Sequence, residues 1–197
     1  MQDGNGMGLR ERKKLATWQA IRDAALILID ERGYESVSLD DIAEAAGVAR
    51  TTLFNYFASK EAIVLDPAPQ DAQYWTSLMA ERPEGEPVWE SLQAVCIGYL
   101  VTFSDRLATQ KRLMDLSPAL ADSSREHAAR FRVELRDWVA ERTAPGDELY
   151  AELAVNTAQA VMTSAFNLWS PSDGFDRLMH LVRTCFDQAG RGLDAVS

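Results

Sequence analysis

The sequence predicts an all-α protein in two parts, a small three-helix unit followed by a larger helical body. Three observations carry this. Ala, Leu, Glu, Arg and Asp lead the composition, and dense β-branched runs are absent. Apolar residues recur at intervals of three and four, the period of an amphipathic helix. The breaks between periodic segments fall on Pro and Gly clusters, which cannot continue a helix. With 47% hydrophobic residues, the 197-residue chain can build a real core.

Residues 1–9 are polar and Gly-rich and read as a flexible tail without a signal peptide. A helix is predicted over 10–32, where Leu15, Trp18, Ile21, Ala25 and Leu28 recur at spacings of 3, 3, 4 and 3, and Gly33 suits the left-handed residue after its end. A second helix starts after Ser38, whose hydroxyl can cap it, with Asp40 and Asp41 well placed in its first turn. Gly47 ends it. A third runs from 49 to 56, and Ser59 caps a fourth that Pro67 and Pro69 stop. In the body, helices are predicted near 71–81, 87–107, 109–116, 118–142, 147–169 and 174–191. They are separated at Pro83–Pro87, Ser117-Pro118, Ala144-Pro145-Gly146 and Pro171–Gly174. This organisation makes 10–65 one domain and 66–197 another.

The strongest local signal is the stretch from Leu39 to Phe57. Ala43 is small where two helices would cross, Gly47 permits a tight turn, and Leu53 with Ile42 and Val48 fills the gap between them. In register, with a cap before and a helix after, these features form a helix-turn-helix. Its second helix suits a major groove: Arg50 can donate two hydrogen bonds to guanine, Asn55 can pair with adenine, and Thr51 can touch a thymine methyl. Thr52, Tyr56, Ser38 and Lys60 offer donors suited to phosphate oxygens.

Net charge is −10, which argues against a generally DNA-binding surface, but the acid is uneven. Residues 1–60 hold 8 Lys/Arg against 9 Asp/Glu, while the remainder holds 12 against 21. One basic cluster stands out, Arg10, Arg12, Lys13 and Lys14, and Arg12 and Lys13 are expected to lie along phosphates or enter the minor groove.

Residues 15–65 resemble the DNA-binding domain of the TetR family. The resemblance runs through Ala24-Ala25-Leu26, Glu31-Arg32-Gly33-Tyr34, Ser38–Ala43, Ala46-Gly47-Val48, Thr52–Phe57 and Ser59-Lys60-Glu61. It implies three DNA-binding helices plus a regulatory body of about six more, a homodimer, and release of DNA when a small-molecule effector binds. It places recognition-helix contacts on Arg50, Thr51, Thr52, Phe54, Asn55 and Tyr56, and a phosphate clamp on Lys60. Two positions depart from the family pattern. Ala49 replaces a Ser or Thr cap, and Phe54 stands where Tyr is frequent, which removes one hydroxyl and offers Phe54 to the core.

In the body, 147–169 is apolar nearly all round and must be covered on two sides, by a core and by a partner subunit. The resemblance makes this helix and 174–191 the dimer interface. Phe103, Met114, Phe131, Trp138, Met162 and Phe166 are the expected pocket residues, suited to an apolar or aromatic inducer. Cys96 and Cys185 fit no metal spacing and read as free thiols of a cytosolic protein. His180 sits with Asp176, Arg183 and Asp187 on a polar face and reads as solvated, and His127 carries no stronger signal. The charge-free stretch Leu153–Ser172 is too polar for lipid. Without a nucleophile elbow, phosphate loop or metal cluster, an enzyme is not expected, and neither is a cofactor. The function expected is a cytoplasmic repressor of a palindromic operator. The alternative is an activator, or a regulator answering to a protein partner or to thiol oxidation.

Overall fold

The computed structural model describes residues 8–192, and the side chains of all of these except 69–73, 127 and 130. The tail expected over 1–9 therefore lies outside the described residues up to residue 7, as does the His127 side chain, and the first helix already begins at Leu9. The described residues form ten α-helices and one short 3₁₀ turn, with no strand among them. The helices are α1 (Leu9–Arg32), α2 (Leu39–Ala45), α3 (Arg50–Phe54), α4 (Lys60–Leu65), α5 (Pro69–Ala80), α6 (Val88–Val101), α7 (Leu107–Leu116), α8 (Pro118–Glu141), α9 (Glu148–Leu168) and α10 (Phe175–Arg191).

By packing, the chain divides into two units. The first takes residues up to Pro69 together with Leu113–Ser123, and the second takes Gln70–Arg112 and Ser124 onward. The periodicity of α1 becomes the first core: Trp18, Ile21, Ala25, Leu28 and Ile29 meet Ile42, Ala43, Leu53, Phe57 and Ala62–Leu65. Leu113 and Leu120, from the α7–α8 junction, complete it. The starts of α2 and α4 are stabilised locally. Ser38 Oγ accepts from Asp41 N at 3.1 Å and Ser59 Oγ accepts from Ala62 N at 3.1 Å, satisfying donors that helix geometry leaves open. Gly47 closes α2 at φ 66°, a left-handed conformation that a side chain would strain.

The second unit builds a core from α6, α8, α9 and α10 around Leu92, Val95, Leu135, Val155, Ala158, Ala165, Val182 and Phe186. The alanines of α9 let α6 and α10 pack closely against it. One predicted element differs. The helix expected over 87–107 stops at Val101 and resumes at Leu107. Thr102 Oγ1 donates to Tyr99 O at 2.7 Å, a side-chain bond that competes with the helical backbone pattern at this point. The turn still buries Phe103, in line with the buried Leu92 and Cys96 of α6.

Candidate nucleic-acid interface

Three helices and two turns of the first unit present the predicted DNA-facing residues. The core packing of Leu53 anchors α3, and the helix is only five residues long, so nearly all its other side chains point outward. Arg50, Thr51, Phe54 and Asn55 are exposed, while Thr52 and Tyr56 are half-buried. The alternative that Phe54 joins the core is thus excluded: the residue is 46% exposed, and its ring centroid lies 5.6 Å from the Arg50 guanidinium carbon. As the sequence implied, no side chain caps α3 at Ala49.

Several predicted residues already hold partners within the unit. Arg50 Nη1 donates to the Asp40 carboxylate. Ser38 Oγ donates to Asp41 Oδ2 at 2.5 Å, and Ser38 N donates to the same oxygen at 2.8 Å. These bonds, with the Arg32 charge nearby, hold the Asp41 carboxyl below the ordinary carboxylate range. Lys60 differs most from a free clamp. Its ammonium donates to Tyr34 O at 2.7 Å and Val37 O at 2.9 Å and sits 4.0 Å from the Tyr34 ring centroid. The loop after α1 is thereby tied to the start of α4. Beside it, Tyr34 Oη donates to Glu61 Oε1. Burial, then that bond to Glu61, pushes the Tyr34 hydroxyl far above its ordinary range. For Glu61 burial acts against ionisation, but the hydrogen bonds from Tyr34, its own backbone and Ser59 outweigh it and the carboxyl sits low. Arg12 and Lys13 are exposed on the first turns of α1.

Arg22 is the residue that sequence reasoning missed. It is buried, its Nε donates to Ile63 O at 2.7 Å, and its Nη2 donates to Asp66 O. Its guanidinium lies 3.9 Å from the Trp18 ring centroid. A cation at the last carbonyls of α4 offsets the helix dipole and fixes where that helix ends. The signal was available, since position 22 follows Trp18 by four residues on the apolar stripe of α1.

The six expected pocket residues fall in several packing environments. Phe103 and Phe131 belong to an aromatic cluster with Trp75 and Tyr99, in which Tyr99 stacks on Phe131 at 4.3 Å and Trp75 lies 4.6 Å from Tyr99. Trp75 Nε1 is buried there with no hydrogen-bond partner among the described residues. Burial beside Cys96 pushes the Tyr99 hydroxyl up to about 12. Trp138 instead lines an open cleft of about 560 Å³ with Met79, Glu84, Glu86, Glu141 and Arg142. Met162 and Phe166 pack on the body core, whereas Met114 packs on the core of the first unit. Asp176, His180, Arg183 and Asp187 all face outward on α10. Among the described residues no group of three His, Cys, Asp or Glu could hold a metal, and no helix is long and apolar enough to cross a membrane.

Comparison with known proteins matches both units. A model of bacterial regulatory proteins of the tetR family matches residues 21–66, and one of the MftR C-terminal domain matches residues 86–194. Over 191 residues the chain is 29% identical to the mycofactocin biosynthesis transcriptional regulator MftR of Mycobacterium tuberculosis, spanning 94% of this chain and 96% of that protein. It is 39% identical over 82 residues to the HTH-type transcriptional regulator TcmR of Streptomyces glaucescens, 42% of this chain and 36% of that protein. Among solved structures, the fatty acid degradation regulator FadR from Bacillus halodurans aligns with a TM-score of 0.60 at 23% identity, covering 96% of this chain and 99% of its own. FadR from Bacillus subtilis, solved in complex with stearoyl-CoA, aligns at 0.55 and 22% identity, covering 87% and 96%. At such identities the structural likeness shows the all-helical fold.

Proposed function

This chain belongs to the TetR family of bacterial regulatory proteins, with an MftR-type C-terminal domain, and from that premise we propose that it is a cytoplasmic homodimeric repressor of a palindromic operator, released by a small apolar or aromatic inducer. The observation that carries the reading is the exposed face of α3 and its C-cap, where Arg50, Thr51 and Asn55 are exposed with no core role to occupy them. Arg50 reads guanine in this proposal, Asn55 adenine, and Thr51 a methyl group. Thr52, Tyr56, Ser38, Arg12 and Lys13 contact the backbone, and Lys60 does so through the loop it orders as well as through its charge. The domains are assigned as 10–65 for DNA and 66–197 for dimerisation and effector binding.

Dimerisation through α9 and α10 is supported by the outer face of α9, where Leu149 and Leu153 are 83% and 62% exposed and Leu168 is exposed further along. One protomer leaves these leucines in water, and a twofold partner would cover them. Such a dimer carries two recognition helices related by a twofold axis, which demands inverted half-sites. An apolar or aromatic inducer between the helices of 87–169 is supported by the cluster of Tyr99, Phe103 and Phe131, beside which Trp75 Nε1 of α5 has no acceptor among the described residues and could take one from a ligand.

Thermodynamic linkage tests the proposal. The inducer must prefer the arrangement that cannot hold DNA, and coupling of about 1–3 kcal/mol would weaken operator binding about 5–150-fold. Operator DNA must then weaken inducer binding by the same factor. Tryptophan fluorescence, titrated with stearoyl-CoA, free fatty acids and planar aromatic compounds, provides the readout. A compound that saturates the body yet leaves operator affinity unchanged is not the inducer. If every compound in the panel behaved so, control by a protein partner would replace this reading.

A further inference from the structure

Asp40 and Asp41 are adjacent acids with different partners. Asp41 closes the cap with Ser38. Asp40 takes no part in the cap; its carboxylate reaches across the turn and pairs with Arg50 Nη1. The two side chains are 64% and 54% exposed, so the pair adds little to the stability of the fold. Its consequence is felt where Arg50 meets DNA. We infer that Asp40 is a specificity-determining residue, acting by positioning Arg50 and by opposing phosphate; the inference rests on the proposed reading of Arg50 as a base contact.

A guanidinium carries five N–H donors in a rigid fork. The Asp40 carboxylate engages one of its nitrogens and the Phe54 ring lies against it at 5.6 Å, so the fork is oriented before any DNA arrives. Phosphates occur on every duplex and attract any free cation regardless of sequence. An Arg50 already neutralised by a carboxylate gains little from them, and the carboxylate itself is repelled. Guanine offers two acceptors, O6 and N7, to the remaining donors of the fork, and the amino group of a cytosine can donate to the carboxylate. Only a particular sequence therefore satisfies both side chains, while elsewhere the acid is desolvated against like charge. Asp40 thus lowers affinity for random DNA more than for the operator.

The test compares the full-length protein with Asp40→Asn, Asp40→Glu, Arg50→Ala and the Asp40→Asn/Arg50→Ala double variant. Each is taken through binding-site selection, then measured on the selected operator and on a duplex of random sequence over a range of salt. Asp40→Asn should tighten random-duplex binding about five- to tenfold and steepen its log–log salt slope by about 0.9, the value of one added phosphate contact. It should also broaden base preference at the position that Arg50→Ala relaxes. Asp40→Glu, which keeps the charge, should hold the operator-to-random ratio within about twofold of the starting protein. If Arg50→Ala relaxes a position but Asp40→Asn leaves that ratio unchanged, Asp40 is not a determinant and the reading of Arg50 stands. If Arg50→Ala relaxes no position, the reading of Arg50 fails and the inference falls with it. If Asp40→Asn still broadens preference in the Arg50→Ala background, the acid does not act through Arg50 and the positioning role is refuted. These readouts separate the role from a structural one, because a variant that merely loosened the fold would lose affinity for operator and random duplex alike.

Discussion

Replacing Lys60 by Met keeps the methylene stem and removes only the ammonium, which isolates what that charge does in the free protein. The ammonium donates to the carbonyls of Tyr34 and Val37 at 2.7 and 2.9 Å, and both of those residues are buried. Hydrogen bonds to a charged group contribute about 1.5–3 kcal/mol each when well shielded. Contact with the Tyr34 ring at 4.0 Å adds about 0.5–1 kcal/mol at a partly exposed site. Lys60 is half-buried, so solvent recovers part of this, and a net loss of about 2 kcal/mol is expected. Native-state amide exchange of Tyr34–Ser38, with the urea midpoint of the first unit followed by the same method, measures it. Operator affinity should fall as well, uniformly over sequences. If exchange and midpoint stay unchanged while the salt dependence of DNA binding shallows by about one phosphate, Lys60 is purely a DNA contact and the argument from its intramolecular bonds is wrong.

Arg22→Leu should destabilise the first unit by about 2–4 kcal/mol, because the carbonyls of Ile63 and Asp66 lose a buried charged donor; a urea midpoint equal to that of the unaltered protein would refute this. Ser38→Ala removes the α2 cap and should cost about 1 kcal/mol at neutral pH. The Asp41 carboxyl is held low by Ser38, so its support is fully present above the unfolded carboxylate value, about pH 4, and fades as pH falls through the lowered native value. The gap between variant and unaltered protein should therefore narrow on acidification, and a gap constant down to pH 2 would contradict the assignment. Burial pushes the Cys96 thiol up to about 12, so iodoacetamide at pH 8 should label Cys185 first, and mild oxidant should leave operator binding unchanged; rapid labelling of Cys96 would reopen thiol control. Leu153→Glu on the exposed face of α9 should yield monomers in sedimentation and weaken operator binding, whereas an unchanged dimer would move the interface elsewhere.

Much of this was legible in the chain because it is written in local chemistry. The spacing of Trp18, Ile21, Ala25 and Leu28 predicts the buried face of α1, and Ser38 and Ser59 mark the helix starts that they cap. The turn signature of Ala43, Gly47 and Leu53 places α3 with its outer face free. What could not be read depends on contacts between distant residues. Arg22 meets the end of α4 some forty positions on, and Lys60 reaches back to Tyr34 and Val37. Periodicity marks the face on which such a side chain lies but not its partner. The aromatic residues of the body were recognisable as interior, yet only packing separates the Phe103–Phe131 cluster from the Trp138 cleft and from Met114 on the other core.

Binding-site selection with the purified full-length protein, from a random duplex library at physiological salt, tests the central claim most directly. Two recognition helices related by a twofold axis should enrich an inverted repeat whose half-site centres lie one helical turn or a multiple of it apart. Each half-site should carry a guanine whose selection disappears in Arg50→Ala. An asymmetric or single half-site, or a palindrome whose every position survives Arg50→Ala, would contradict the account.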